Sequence, residues 1–172
     1  MTVLDLIEID FNHFSETEFE VAYSGENMDG SEYIDYEKTI VPKVFDIFDK
    51  IQIKIFSDKF EISKNNFISV MLFASKGKVT VVEIKNVIEI LHKAFGKDSD
   101  GNNGWTNEDL QNLKIGIFGR TWDLTPSGKS LADITEDSYS ISLGYNSRNM
   151  STIYIEPEYF SMSIWRINKI LS

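Results

Sequence analysis

Hydrophobic and polar residues alternate with period two in several short blocks of this chain, the spacing of half-buried strands. Val3, Ile7, Ile9 and Phe11 alternate with Glu8 and Asp10 toward the end of the first block. Phe19, Val21 and Tyr23 alternate with Glu18 and Glu20 in the second, which reads as a half-buried strand able to pair with the first through Asn12 to Thr17. Ser24 to Tyr36 reads as an irregular acidic stretch with Gly25 and Gly30 as turn formers. Ile40, Val44, Ile47, Phe48 and Ile51 then fall at helical spacing, with Pro42 in a first turn.

Period two returns at Ile51, Ile53 and Ile55. Turns are expected at Ser57–Lys59, leading into Phe60 and Ile62, and at Asn65–Asn66, before an apolar strand over Phe67–Phe73. Lys76-Gly77-Lys78 closes that strand. Thr80 and Glu83 have capping-box spacing, and Ile84, Val87, Ile88, Leu91 and Phe95 form an amphipathic stripe that stops at Gly96. Thr106 is the expected N-cap of a short helix through Leu113, and Ile115–Phe118 a buried strand. Tyr139, Ile141, Leu143 and Tyr145 alternate with serines, Thr152–Glu156 reads as a further strand, and Ile164–Leu171 fits helix or strand. The expected fold is α+β: a mainly antiparallel β-sheet with two main helices, over 40–51 and 84–95, packed on one face.

Length and composition narrow the picture. The 172 residues suit a single domain over 1–172, and 42% hydrophobic residues with 13% aromatics suit a filled core. Cysteine is absent, which removes disulfides, thiolate nucleophiles and cysteine-based zinc sites. The opening MTVLDLIEIDF carries acids where a signal peptide needs bases, and the longest apolar stretch, Phe67–Ala74, is far short of the roughly 20 residues a membrane helix requires. The expected location is cytoplasmic.

Charge is unevenly placed. Eleven acidic residues precede Lys38, the first base, and the rest of the chain is close to neutral, so the net charge of -10 resides in the N-terminal segment. Such a face steers a basic partner or serves as a solvated surface. Phosphate contacts and anionic membrane surfaces both need clustered Lys and Arg, so no nucleic-acid or membrane binding is expected.

The motifs depart from the patterns they approach. Asp98, Asp100, Asn102 and Asp109 lie at calcium-loop spacing, but Asn103 stands where glycine makes the turn and Asp109 where a bidentate glutamate is usual, which favours a turn with a helix cap. Thr125–Ser130 ends like a phosphate loop, with Asp123 in place of its earlier glycine. Gly119-Arg120-Thr121-Trp122 suits either a stacking site or an arginine that locks a loop by bonding carbonyls or a carboxylate such as Asp123. His13 and His92 have no partner at ligand or triad spacing. No catalytic residues and no cofactor are expected.

A small, acidic, cysteine-free domain without catalytic motifs resembles, at the level of class, the bacterial toxin-neutralising immunity proteins. The expectation is therefore a non-enzymatic protein-binding module, inhibitor-like, docking a basic protein partner through Glu8, Asp10, Glu18 and Glu20, with Glu26, Asp29 and Glu32 behind them. The alternative is a small-molecule-binding protein or small enzyme whose pocket uses Trp105, Arg120, Trp122 and Trp165.

Overall fold

The structure, a computed structural model, describes residues 18–28, 30–56, 67–75, 79–115, 117–125, 138–146 and 159–166. They form β1 (Glu20–Glu26), β2 (Glu32–Val44), β3 (Phe48–Phe56), β4 (Phe67–Ala74), α1 (Val81–Phe95), α2 (Asn107–Lys114), β5 (Ile117–Leu124), β6 (Tyr139–Asn146) and β7 (Tyr159–Arg166). The strands make one antiparallel sheet in the order β1-β2-β3-β4-β7-β6-β5. Two meanders, β1–β4 and β5–β7, meet at the β4–β7 pair. The helical segment carries the chain from the middle of the sheet to its β5 edge.

Register separates the two faces of the sheet, because residues directly opposite in an antiparallel pair project to the same side. Ile53 aligns with Val70, Val70 with Ile164, Ile164 with Ile141 and Ile141 with Trp122, one apolar row across five strands. The α1 stripe of Ile84, Val87, Ile88, Leu91 and Phe95 joins those residues in one buried cluster, and Leu113 of α2 packs against it. The opposite face carries Lys54, Ser69, Trp165, Ser140 and Asp123 in the neighbouring row. The fold is thus the expected α+β antiparallel sheet with two helices on one face, the second of them α2 and not a segment over 40–51.

Both helices begin as their sequences direct. Thr80 Oγ1 accepts from the Glu83 amide while Glu83 Oε2 accepts from the Thr80 amide, and Thr106 and Asp109 repeat the exchange at α2. The segment Ile164–Arg166 is strand, at the end of β7.

Three expectations are corrected. The segment 40–51 is not a helix: Ile40–Val44 ends β2, Phe48–Ile51 begins β3, and Ile47 N donates to Val44 O across the turn between them. Ile40, Val44, Ile47, Phe48 and Ile51 are all buried, so a hairpin with a register shift reproduces the helical spacing. The turn places Phe45 and Asp46 at φ 51° and 61°, positions usually held by Asn or Gly, which is why no turn signal is visible.

The irregular stretch 24–36 instead holds the end of β1 and the start of β2. The strand around Phe19–Tyr23 is not half-buried: Phe19 is buried, but Val21 is 61% and Tyr23 58% exposed. A bulge between Val21 and Tyr23 turns them to opposite faces, defeating the alternation.

The expected strands over 3–11 and 152–156, the turns at 57–59 and 65–66, the Lys76–Lys78 strand end and most of the Thr125–Ser130 segment lie outside the described residues. Among the described residues, no helix is long and apolar enough to cross a membrane.

Candidate functional site

Arg120 projects from the core face of β5, where its register neighbour is Leu143. A buried guanidinium needs its donors filled by carboxylates or carbonyls. Nη1 donates to Asp109 Oδ1 at 3.1 Å and to Oδ2 at 3.3 Å, and Nη2 donates to Gly104 O at 2.7 Å. Nε lies 2.7 Å from Asp98 Oδ2 without the geometry of a hydrogen bond, so that contact is an ion pair. Asp98, Asp109 and Arg120 are each 5% exposed or less.

The loop between α1 and α2 is built around this cluster. Asp98 Oδ1 accepts from the Asn102 amide and Oδ2 from the Asn102 side chain. Ser99 N donates to Thr121 O, Ser99 Oγ to Asp123 Oδ2, and Trp122 Nε1 to Gly96 O. Gly104, at φ 70°, leaves room for the Glu89 carboxylate, whose Oε1 accepts from the Trp105 amide.

The calcium-spaced carboxylates Asp98 and Asp109 therefore face a guanidinium, which occupies the centre of the loop. Asp100 is exposed, Asn102 bonds back to Asp98, and no group of three or more metal-ligating side chains occurs among the described residues. Arg120 does lock a loop, through Asp98, Asp109 and Gly104; Asp123 instead takes Ser99.

The four residues of the expected pocket are not gathered into one concavity. Trp122 is 1% exposed within the core, Trp105 is half-buried against it, and Trp165 lies on the other face, aligned with Ser69 and Ser140.

The acidic face is partly resolved. Glu8, Asp10 and Asp29 lie outside the described residues. Glu18 is bonded to Lys38 at 2.7 Å, and Lys38 also lies over the Phe19 ring. Glu20, Glu26 and Glu32 are exposed. Glu20 aligns with Glu37 and Glu26 with Glu32, like charges directly opposite, although Lys50 holds Glu37 at 2.9 Å.

Beside this hairpin lies a group that charge counting does not reveal. Asp35, on β2, is only 7% exposed, and its Oδ1 has no hydrogen-bond partner among the described residues. Its cross-strand neighbours are Tyr23 on β1 and Lys54 on β3. Lys54 Nζ stands 3.9 Å from Asp35 Oδ2 and 3.8 Å from the centre of the Tyr33 ring. Burial pushes the Asp35 carboxyl above the usual carboxylate value, and the Lys54 charge offsets part of that rise. The Tyr23 and Tyr33 rings, 6.0 Å apart, meet over Gly25, where a Cβ would lie 2.9 Å from Tyr23 and 3.0 Å from Tyr33. The only sequence signal for this group was the register: Tyr23, Asp35 and Lys54 become neighbours once β1–β3 are paired.

On the helix face, a groove of about 430 Å³ opens between the strained β2–β3 turn and α1, lined by Phe45, Asp46, Glu83, Ile90 and Lys93 among others. No family model, no curated protein and no solved structure matches this chain.

Proposed function

We propose that the chain is a non-enzymatic binding module whose β1–β2 hairpin docks a basic protein partner. The observation that supports this reading is the exposure of β1: all of its residues but Gly25 are exposed, Val21 and Tyr23 more than half so. Glu20 and Glu26 have no ion-pair partner among the described residues. β1, outermost of the described strands, displays both apolar side chains and carboxylates without an ion pair among the described residues, offering area to bury and charge to match. Met28, fully exposed near the hairpin tip, adds an adaptable apolar contact.

Carboxylates at the rim of a docking surface act chiefly on encounter rate, and salt screens them. The test is to recover a basic protein on the immobilised chain at low salt, then measure its association rate with the wild type and with Glu20→Gln/Glu26→Gln. The expected result is a several-fold slower association at low salt that converges with wild type as salt rises. Equal rates at low salt would sink the proposal.

A further inference from the structure

Within the docking hairpin the orphaned oxygen of Asp35 stands apart from the other acids. Exposed carboxylates such as Glu20 and Glu26 are satisfied by water; a buried carboxylate oxygen without a donor is not. The neighbouring base does not fill it. Lys54 is held 3.8 Å over the Tyr33 ring, and its ammonium stays 3.9 Å from the other carboxylate oxygen, beyond hydrogen-bond reach. Asp35 Oδ1 is therefore an unfilled acceptor covered from solvent, on the strand residue aligned with Tyr23, whose exposed ring meets that of Tyr33.

The arrangement suits one kind of donor. A guanidinium is planar, stacks on an aromatic face while its N–H groups remain free to bond a carboxylate, and sheds water more easily than an ammonium does. We infer that Asp35, Tyr23 and Tyr33 form a recognition pocket for an arginine side chain of the basic partner, the guanidinium stacking on Tyr23 and donating to Asp35 Oδ1. This rests on the docking reading above and names its specificity point. Because Oδ1 is covered, this binding requires the exposed Tyr23 ring to move aside; Gly25 leaves the space in which the two rings sit. Lys54 retains the Tyr33 face as its own position, so the incoming cation does not have to displace it. Glu20 and Glu26, on the same hairpin, add the negative field that draws a cation to this end of the sheet.

The test uses arginine amide as the probe, titrated into the isotopically labelled full chain, with lysine amide as the comparison. The Asp35 carboxyl carbon and the ring signals of Tyr23 and Tyr33 are followed by NMR. The expected result is a saturable shift at Asp35 and both rings, at least about tenfold weaker with lysine amide and lost in Asp35→Asn, in line with the loss of one charged hydrogen bond. The Asp35→Asn spectrum otherwise retains its dispersion, which shows that the variant is folded. A Tyr23→Leu variant, which keeps the strand but removes the stacking face, is expected to bind the probe several-fold more weakly.

Shifts that spread over Glu20, Glu26 and Glu32 without saturating, or a saturable response unchanged in Asp35→Asn, would overturn the pocket while leaving the acidic-arm reading intact. A saturable response at Asp35 in a chain whose partner association ignores Glu20→Gln/Glu26→Gln would support Asp35 as an arginine site while overturning the docking reading.

Discussion

Arg120 and Asp109 join the far edge of the sheet to the first turn of α2, the guanidinium Nη1 bridging both carboxylate oxygens at 3.1 and 3.3 Å. The same arginine meets Asp98, so one buried cation serves two buried anions. Removing it leaves both carboxylates without compensation, and breaking such a cluster from one side is strongly destabilising. Arg120→Ala is expected to lower stability by about 3–5 kcal/mol, measured by urea unfolding. Arg120→Lys is expected to recover only part of this, since an ammonium cannot fork between Asp109, Asp98 and Gly104 O. A loss under about 1 kcal/mol for Arg120→Ala would show that the cluster adds little beyond ordinary surface pairs.

The two capping threonines form the same local motif in different surroundings. Thr80 and Glu83 cap α1 in the open, whereas Asp109, which caps α2 with Thr106, also holds Arg120. Thr80→Ala is expected to reduce stability by about 1 kcal/mol, the usual worth of an N-cap. Thr106→Ala is expected to exceed that, because it also removes a hydroxyl donor from a 3% exposed carboxylate. Denaturant midpoints of the two variants decide it; equal losses would show that the Thr106 hydroxyl adds nothing to Asp109 beyond an ordinary cap.

Much of this fold is legible in the sequence, and the misreadings have physical causes. Thr80, Gly96 and Thr106 mark helix ends because capping is local chemistry that a few neighbouring residues complete. Ile51, Ile53 and Ile55 mark a strand because each faces the same core. Ile40–Ile51 misleads because a turn between two strands can place buried residues at helical intervals, and because Phe45 and Asp46 make that turn without the residues that advertise one. Arg120 was legible as a loop lock, but not its partners: Asp98 and Asp109 lie at calcium spacing, and only the fold brings a guanidinium between them. Asp35 was invisible as a site, being one acid among eleven until pairing set it between Tyr23 and Lys54.

The β2–β3 turn holds two side-chain-bearing residues in the left-handed region, Phe45 at φ 51° and Asp46 at φ 61°. Phe45 is anchored by an edge-on contact with Phe48, so replacing it would exchange strain for lost packing. Asp46 is exposed and has no ion pair among the described residues. Asp46→Gly is therefore expected to stabilise the chain by about 0.5 kcal/mol, since glycine adopts a positive φ without steric penalty. A higher melting temperature with unchanged unfolding cooperativity is the expected reading, and a lower one would mean that the aspartate side chain supports the turn.

Asp35 carries a pH dependence of definite sign. Its folded-state pKa is raised above the ordinary 3.8, chiefly by burial. As pH climbs from about 4 through that raised value, the folded chain retains a proton the unfolded chain has released, so stability falls across this window. Asp49 works in the opposite direction. Its burial alone would raise its pKa, but hydrogen bonds from the Ser75 side chain and amide, with Lys43, lower it on balance, so its contribution is lost as pH drops. Comparing wild type with Asp35→Asn isolates the first effect, because Asp49 is common to both. The variant is expected to be the more stable of the two at pH 7, its advantage shrinking toward pH 4, as read from urea midpoints across that range. Saturating arginine amide is expected to narrow the pH 7 gap from the wild-type side, since a ligand that binds only the folded carboxylate form stabilises it. If Asp35→Asn is instead the less stable variant at pH 7, attraction to Lys54 outweighs burial, and Asp35 is a structural ion-pair partner with no acceptor to offer.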